Sequence, residues 1–195
     1  MSGTGIQTCY PSGLGQFFRS LVRDPLGVGA VLPSGRTLAK LMVRDVGSQA
    51  RVVELGAGTG TVTEAILAGG VEPRHLCLIE QDEQFVRILR QRFPGALAVN
   101  ADAVHLLEHL KDWSGSVDYV ISGLPLMLIP SSRKIDLLRQ AFELLGPEGR
   151  FHQFTYGGRC PVSRRALRSL GLKASRIGAV ALNVPPAFVF RFARA

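Results

Sequence analysis

The amino-acid sequence predicts an α/β domain, in which helices cover both faces of a mostly parallel β-sheet. Three observations indicate this fold class. From Arg51 onward, short β-rich apolar runs alternate with segments of helical length. A glycine-rich turn joins the first of those strands to the first helix, and two apolar runs follow each other directly at the end of the chain. The alternation is typical of parallel strands joined by helical crossovers, whereas the final pair predicts an antiparallel hairpin.

The predicted elements follow one another in order along residues 51–195. Strands are predicted from apolar runs at 52–55, 75–80, 97–100, 117–122, 149–156, 174–182 and 188–193. Segments of helical length between them predict helices at 61–68, 82–93, 135–145 and 162–170. Residues 51–195 are therefore expected to form one domain.

The first fifty residues predict a separate helical extension. An apolar stripe at helical spacing indicates a helix over about 14–23, which Pro25 ends. A second helix is predicted at about 34–45, with Ser34 as its N-cap. The first helix is expected either to pack on the domain or to lie in a membrane interface, with its arginines toward anionic lipid. The stripe and its arginines comprise Leu14, Phe17, Phe18, Arg19, Leu21, Val22 and Arg23.

Composition and charge limit the possible function classes. The chain has 195 residues, of which 46% are hydrophobic, so it can bury the core of one domain. Its net charge of +8 is unevenly distributed, because residues 147–195 carry nine basic and one acidic side chain, whereas residues 51–146 carry nine and twelve. A uniformly basic ribosomal-type protein would not show this distribution. The charge fits either simple solubility or a polyanionic partner.

The cysteines and the hydropathy pattern bear on the cellular compartment. Cys9, Cys77 and Cys160 form no C-x-x-C pair, which argues against a zinc knuckle or a disulfide framework and favours a reducing compartment. No signal peptide is recognisable, and no apolar run reaches the roughly 18–20 residues that span a bilayer. We therefore expect a cytoplasmic protein, with any membrane contact being peripheral.

The stretch V-V-E-L-G-A-G-T-G at residues 52–60 predicts a nucleoside-binding turn. A buried strand runs into Gly56, Gly58 and Gly60, and a helix follows, so the backbone can approach a ligand closely. Glu80, at the end of the second predicted strand, can accept hydrogen bonds from both ribose hydroxyls. The G-x-G-x-G spacing and the Glu54 carboxylate favour cationic S-adenosylmethionine over a dinucleotide, because that carboxylate would repel a pyrophosphate.

A third cofactor element follows the third predicted strand. The Asp102 carboxylate can accept from an adenine amino group or cap the following helix, and one residue can do both. Together these motifs resemble the class I S-adenosylmethionine-dependent methyltransferases from about Arg51 to the C-terminus. The resemblance implies a Rossmann-like sheet of seven strands, mostly parallel, with the last strand antiparallel. The expected cofactor-binding residues are Glu54, Gly56, Ala57, Gly58, Gly60, Glu80, Gln81, Asp102, Ala103 and Ser122.

The loop after the fourth predicted strand, I-S-G-L-P-L at residues 121–126, indicates the substrate class. Adenine and cytosine methyltransferases resemble it in Leu-Pro, but they usually place Asn or Asp first and an aromatic residue last, to hold and stack a base. Here Ser122 and Leu126 occupy those places. S-G-L-P-L instead resembles the bacterial phospholipid N-methyltransferases, which turn phosphatidylethanolamine into phosphatidylcholine.

Three further stretches resemble that family. They are D-P-L-G-V-G-A-V-L-P-S-G-R at 24–36, Q-F-T-Y-G at 153–157 and N-V-P-P-A-F-V-F-R-F at 183–192. The chain departs from the family pattern at Gly35, where Ser is expected, and at Gly158, where Pro is expected. The resemblance implies a phospholipid substrate, peripheral attachment to the inner face of the cell membrane, and no nucleic-acid partner.

The resemblance also implies methyl transfer to a lipid amine, which must lose a proton before it attacks. Ser122 and the backbone carbonyls of Gly123 and Leu124 can hold the amine hydrogens. Side chains at the ends of late strands can orient or deprotonate the amine, and these are His152, Gln153, Tyr156 and Asn183. The alternative for His152 is that it is a core residue of the strand, on a face of the sheet that a helix covers, and does not act on the amine. The cations nearest in sequence for a lipid phosphate are Arg133, Lys134 and Arg159.

Two other functions stay open as alternatives. An RNA base methyltransferase fits the basic C-terminal third, and a non-catalytic lipid-binding protein would keep the fold without its chemistry. The stretch H-L-L-E-H at 105–109 matches a zinc peptidase pattern, H-x-x-E-H, but a third ligand is not evident in the sequence. No metal is therefore expected.

Overall fold

The computed structural model describes residues 33–181 and 185–195. The predicted helix at 14–23 and the candidate Asn183 lie outside these residues. Within the described ranges, no helix is long and apolar enough to cross a membrane.

Seven strands of the described residues form one sheet. They are β1 (Val52–Leu55), β2 (Leu76–Glu80), β3 (Leu97–Asn100), β4 (Val117–Ser122), β5 (Leu145–Tyr156), β6 (Leu172–Val180) and β7 (Ala187–Arg194). Their spatial order is β3-β2-β1-β4-β5-β7-β6. The pairs from β3 to β5 are parallel, whereas β7 runs antiparallel to both β5 and β6. The predicted seven-stranded sheet with an antiparallel last strand is confirmed.

Six α-helices of the described ranges accompany these strands. They are α1 (Pro33–Val43), α2 (Thr61–Ala68), α3 (Glu83–Arg92), α4 (Leu106–His109), α5 (Ser131–Leu144) and α6 (Arg164–Ser169). Short 3-10 turns lie at Pro73–His75, Ala103–His105, Lys111–Trp113 and Leu126–Leu128. Helix α5 begins four residues before the predicted 135, because its first turn, S-S-R-K, is polar and carries no apolar period.

Strand β5 also begins earlier than the predicted 149. Its first residue, Leu145, pairs with Val117 of β4, and the register then shifts before Tyr119 pairs with Arg150. The intervening G-P-E-G has the composition of a turn, but here it forms an irregular strand start next to β4.

The sheet has an apolar layer on each face. One layer contains Val53, Leu55 and Phe151 packed against α5 and α6. The other contains Val52 and Leu78 packed against α1, α2 and α3. Because the central strands are buried on both faces, they form continuous apolar runs rather than alternating ones.

Helix α1 packs on the same face of the sheet as α2. Its Leu38 and Met42 side chains are buried in that apolar layer, at 8% and 1% exposure. The described part of the predicted N-terminal extension is thus attached to the domain by apolar packing.

The chain order places a crevice beside β1. From β1 the chain moves outward to β2 and β3, then returns to β4 on the other side of β1. Ligands of open α/β sheets bind at such a reversal, beyond the carboxyl ends of the strands. The turns that follow β1, β2, β3 and β4 meet there.

Candidate functional site

A cavity of about 540 Å³ lies at the carboxyl ends of β1 to β4. Nine sequence-predicted residues line it, namely Gly56, Gly58, Glu80, Gln81, Asp102, Ala103, Gly123, Leu124 and Arg133. Four other residues from the cofactor prediction, Glu54, Ala57, Gly60 and Ser122, are not part of its lining. The fold therefore gathers residues from four separate turns around one space.

Two glycines of the turn after β1 have different roles. Gly58 has a φ of +54°, and a Cβ at this position would meet nothing within 4 Å, so the backbone is open toward the cavity. Gly60 has a φ of +91°, and a Cβ there would lie 2.3 Å from the ring of Phe93. Gly58 suits a close approach by a ligand, whereas Gly60 permits packing between α2 and the end of α3.

The Glu80 carboxylate is held against the glycine turn. Its Oε2 accepts a hydrogen bond from the backbone N–H of Gly58 at 2.8 Å, and its Oε1 accepts one from Asp82 at 3.0 Å. Each carboxylate oxygen can still accept another hydrogen bond. The end of β2 therefore presents a fixed acceptor to the cavity before any ligand arrives.

Glu54 lies beneath the turn rather than on the cavity surface. Its side chain is 2% exposed, and the Thr63 hydroxyl donates a hydrogen bond of 2.7 Å to its Oε2, joining β1 to α2. The pKa of Glu54 is raised to about 8, mainly because the group is buried; the Thr63 hydrogen bond opposes this rise and the nearby Glu80 charge adds to it. The carboxyl group is thus mostly protonated near pH 7.

The Asp102 side chain caps the short helical turn that follows it. Its Oδ1 accepts a hydrogen bond of 3.1 Å from the N–H of Val104, which caps the turn at Ala103–His105. Its Oδ2 forms an ion pair with Arg133 at the beginning of α5. Both residues line the cavity, so this pair links the turn after β3 to the segment after β4.

The structure does not bring the three candidate phosphate-binding cations together. Arg133 is on the cavity surface beside Asp102. Lys134 instead donates a hydrogen bond to the carbonyl of Pro161 at 2.9 Å, and desolvation lowers the pKa of this amine. Arg159 is exposed in the loop after β5 and is not part of the cavity lining.

The turn after β4 is fixed by two neighbouring polar side chains. Ser122 is fully buried, and its Oγ accepts a hydrogen bond of 3.3 Å from the N–H of Leu124. Gln153 of β5 lies beside Ser122 in the sheet register, and its Nε2 donates to the Leu124 carbonyl at 2.8 Å. Gly123 and Leu124 thereby contribute backbone at defined positions on the cavity surface.

His152 lies on the opposite side of the sheet from Gln153. Adjacent strand residues point to opposite faces, so the position of Gln153 next to Leu124 directs His152 toward α1. Its Nδ1 is 2.7 Å from the carbonyl oxygen of Met42, and its ring meets Tyr119 edge-on. Burial lowers the pKa of His152, which favours a neutral imidazole. The structure thus places this candidate in the core and away from the cavity.

Tyr156 is likewise absent from the cavity lining. Its ring packs edge-on against Phe154 with centroids 5.5 Å apart, on the same face of the sheet as α1. Burial raises the pKa of its phenol. Among the described catalytic candidates, Gly123 and Leu124 lie on the cavity surface, and Ser122 lies directly behind them.

The polar residues of the H-L-L-E-H stretch, His105, Glu108 and His109, lie on the protein surface. His105 Nδ1 is 3.0 Å from Glu108 Oε1, and both side chains are more than half exposed. Within the described ranges, no three His, Cys, Asp or Glu side chains are grouped in a way that could hold a metal ion.

Sequence reasoning missed the apolar part of the cavity surface. This part includes Ile79, Phe85, Val104, Leu128, Ile129 and Leu137. Ile79 precedes Glu80 and Val104 follows Ala103, so their positions beside predicted cofactor residues could have indicated them. Apolar surfaces of this kind enclose flat rings such as adenine, while a few polar groups fix the orientation.

The residues present fit S-adenosylmethionine. Gly58 leaves its backbone open, Glu80 offers a fixed carboxylate that would accept hydrogen bonds from ribose hydroxyls, and apolar side chains of the cavity surface would contact a base. Carboxylates of the cavity surface, on Glu80, Asp82 and Asp102, outnumber its one cation, Arg133, which suits a positively charged sulfonium ligand. This fold and this site define an S-adenosylmethionine-dependent methyltransferase.

Sequence comparison gives the family. The chain belongs to the methyltransferase domain family, whose model matches residues 53–151. A curated relative, the ornithine lipid N-methyltransferase of Singulisphaera acidiphila, is 35% identical over 149 residues, which cover 73% of this chain and 75% of the relative.

Solved structures show the same fold. The 1,6-didemethyltoxoflavin-N1-methyltransferase of Burkholderia thailandensis, solved with S-adenosylhomocysteine, is 17% identical with a TM-score of 0.69, covering 98% of this chain and 93% of its own. The magnesium protoporphyrin IX methyltransferase of Synechocystis, solved with S-adenosylmethionine, is 15% identical with a TM-score of 0.64, covering 94% and 92%. S-adenosylmethionine is accordingly the cofactor of this enzyme.

Proposed function

We propose that the enzyme methylates the amine of a membrane aminolipid, phosphatidylethanolamine, toward phosphatidylcholine. The observation that carries this proposal is the turn after β4. Base methyltransferases usually place an aromatic residue where this chain has Leu126, which is 1% exposed and contributes to the core instead of to the cavity surface. The turn therefore offers backbone oxygen atoms to a small amine and no ring at that place to stack on a base.

The segment that follows this turn is suited to a lipid. Leu128 and Ile129 form part of the cavity surface, and Met127 between the turn and these residues is 50% exposed. An exposed apolar side chain beside a polar cavity suits a substrate with an amine headgroup and acyl chains.

The main contribution of this chain to the reaction is to orient the substrate amine. When bound, S-adenosylmethionine supplies an electrophilic methyl group. The Leu124 carbonyl already accepts from Gln153 Nε2 and from the N–H of Leu126, and Ser122 accepts from the Leu124 N–H, which together fix the turn. The Gly123 carbonyl on the cavity surface is therefore the proposed acceptor for an N–H of the substrate amine. Holding the amine in line with the methyl group supplies a large part of the rate.

The curated relative supports the lipid class and adds a second headgroup to test. Its name gives an ornithine lipid as substrate. Ornithine and ethanolamine headgroups share an amine on a flexible carbon chain, so the same acceptors can hold either. We keep phosphatidylethanolamine as the proposed substrate because S-G-L-P-L and the three other stretches resemble the phospholipid enzymes.

The membrane contact belongs to the same proposal. The apolar stripe at 14–23 and its two arginines fit an interfacial helix, and the basic residues of 147–195 fit attraction to anionic lipid. We propose peripheral attachment to the cytoplasmic face of the cell membrane.

The test is methyl transfer with S-adenosylmethionine labelled in its methyl group. Separate reactions contain vesicles with phosphatidylethanolamine, vesicles with ornithine lipid, vesicles of phosphatidylcholine alone, or total RNA. We expect lipid-soluble label with phosphatidylethanolamine and none with phosphatidylcholine. Label only in ornithine lipid would mean that the substrate headgroup is ornithine and not ethanolamine. Label only in RNA would support a base methyltransferase. Absence of label from every acceptor, with S-adenosylhomocysteine still bound, would support the non-catalytic alternative.

A further inference from the structure

Helix α5 presents one face to the turn after β3. Arg133, Leu137 and Gln140 follow one another at intervals of four and three positions, which places them on the same side of the helix. Arg133 and Leu137 line the cavity, whereas Gln140 lies one turn further along and is not part of the lining. Arg133 forms an ion pair with Asp102 in the turn after β3. The helix that follows the β4 turn is therefore attached to the turn that follows β3.

Gln140 uses both ends of its side-chain amide to hold that turn. Its Oε1 accepts a hydrogen bond of 3.1 Å from the N–H of Leu107, and its Nε2 donates to the carbonyl oxygen of Val104. Both hydrogen bonds are shielded from water in part, and a backbone group that loses its partner in such a place is costly. The two bonds therefore favour one conformation of residues 104–107.

Val104 connects the Gln140 amide to the cavity. Its N–H donates to Asp102 Oδ1 at 3.1 Å, its carbonyl oxygen accepts from Gln140, and the residue itself lines the cavity beside Asp102. The backbone is thus fixed on both sides of Val104, by Asp102 from within the turn and by Gln140 from α5. Rotation of either peptide would displace the one carboxylate and the apolar side chain that this turn offers to a ligand.

We propose that Gln140 is a positioning residue of the cofactor site, which holds the turn after β3 in the shape that recognises the adenine base. The Asp102 carboxylate is the predicted acceptor for the adenine amino group, and the Val104 side chain is suited to contact the ring. Gln140 acts through these two residues and not by its own contact with the cofactor. The inference concerns cofactor binding alone, so it goes beyond the proposed lipid substrate and does not depend on it.

The first test measures the preference between two ligands by calorimetry. S-adenosylhomocysteine carries the adenine amino group, whereas S-inosylhomocysteine carries an oxygen atom there, which the Asp102 carboxylate would repel. We expect wild type to bind S-adenosylhomocysteine about tenfold or more tightly than the inosine ligand. Gln140→Leu removes both hydrogen bonds and Gln140→Glu removes the donor to Val104, so both variants should lower this preference to within about threefold.

The matched control is Arg139→Leu. Arg139 is the preceding residue of α5, and it donates to Asp136 of the same helix at 2.8 Å. This variant should keep the wild-type preference. A purely structural role of Gln140 would lower Tm and weaken both ligands equally, which leaves their ratio unchanged. An unchanged ratio in both Gln140 variants, or a wild type that does not distinguish the two ligands, would overturn the proposal.

The second test uses wild type alone, so it also decides the matter if the variants do not fold. Hydrogen exchange of the Leu107 amide, which faces Gln140, is followed by NMR with each ligand at saturation. We expect S-adenosylhomocysteine to slow this exchange at least threefold more than S-inosylhomocysteine does. The reference is the amide of Asp118, which donates to the Arg51 carbonyl at 2.9 Å and should respond equally to both ligands. Equal slowing at Leu107 by the two ligands, or none by either, would contradict the proposal.

Discussion

Glu80 and Gly58 are joined by a 2.8 Å hydrogen bond between a side-chain carboxylate and a backbone amide 22 positions apart. The bond ties the end of β2 to the turn after β1, on the surface of the cavity. The bond holds the carboxylate at the cavity surface, where we propose that it binds a ribose, and it also fixes the glycine turn. The cofactor site is therefore largely formed before the cofactor binds.

Glu80→Ala should weaken cofactor binding through both effects. We propose that Glu80 binds both ribose hydroxyls, and the loss of such a charged acceptor costs about 1.5–3 kcal/mol per hydrogen bond. We therefore expect an increase in the Kd for S-adenosylhomocysteine of at least about 100-fold. Isothermal calorimetry measures this. Glu80→Gln keeps one acceptor oxygen and should give an intermediate Kd. An unchanged Kd in Glu80→Ala would contradict the proposal that Glu80 binds the ribose.

Glu54 should make stability fall as the pH rises between about 4.5 and 8. Burial raises its pKa to about 8, above its ordinary value of 4.5. A folded pKa above the unfolded pKa means that the contribution is complete below about pH 4.5 and is lost as the pH rises through 8. Glu54→Gln stays neutral and keeps an oxygen for the Thr63 hydroxyl, so its Tm should exceed that of wild type increasingly between about pH 4.5 and pH 8, with a constant difference above that.

Thermal melts of both proteins across this range provide the measurement. Each 1 kcal/mol corresponds to about 2–4 °C in a domain of this size. Parallel curves for wild type and Glu54→Gln would mean that the carboxyl group titrates normally. Thr63→Val is the matched control, since it removes the hydrogen bond to Glu54 and leaves the ionisable group.

Much of the cofactor site could be predicted from the sequence, because its residues follow strands of clear apolar character. Gly58, Glu80 and Asp102 come directly after such strands, and parallel topology brings strand ends together. The sequence could not separate Gly58 from Gly60, since a glycine that faces a ligand and a glycine that packs on Phe93 occupy the same pattern.

The side-chain direction of late-strand residues could not be predicted. His152 and Gln153 were both candidates for the amine site, yet a shift of one residue in a strand reverses the face. Only the pairing of Ser122 with Gln153 decides that Gln153 lies behind the cavity and His152 under α1. The predicted starts of α5 and β5 lie too late in the chain for a related reason. The polar stretch S-S-R-K and the turn-like stretch G-P-E-G give no apolar signal.

His152 should affect stability in acid and leave methyl transfer unchanged. Its folded pKa is lowered by burial below the ordinary 6.5, so the stability it contributes is present above pH 6.5 and is lost as the pH falls through the folded pKa. His152→Gln keeps a donor for the Met42 carbonyl and cannot titrate. Its Tm should therefore decline less than that of wild type below pH 6.5, with kcat within about threefold. A large loss of kcat at unchanged Tm would restore His152 as a catalytic candidate.

The predicted stripe at 14–23 should bind membranes independently of the cofactor site. Phe17→Glu combined with Phe18→Glu places two charges on its apolar side, so we expect sedimentation with anionic vesicles to fall about tenfold or more. The Kd for S-adenosylhomocysteine should stay unchanged. The matched control is Ile88→Glu with Leu97→Glu, since these two apolar side chains are 38% and 46% exposed on the described domain. Equal vesicle binding by both double variants would argue against the stripe, and a loss of cofactor affinity in the Phe17 and Phe18 variant would mean that this segment packs on the domain instead.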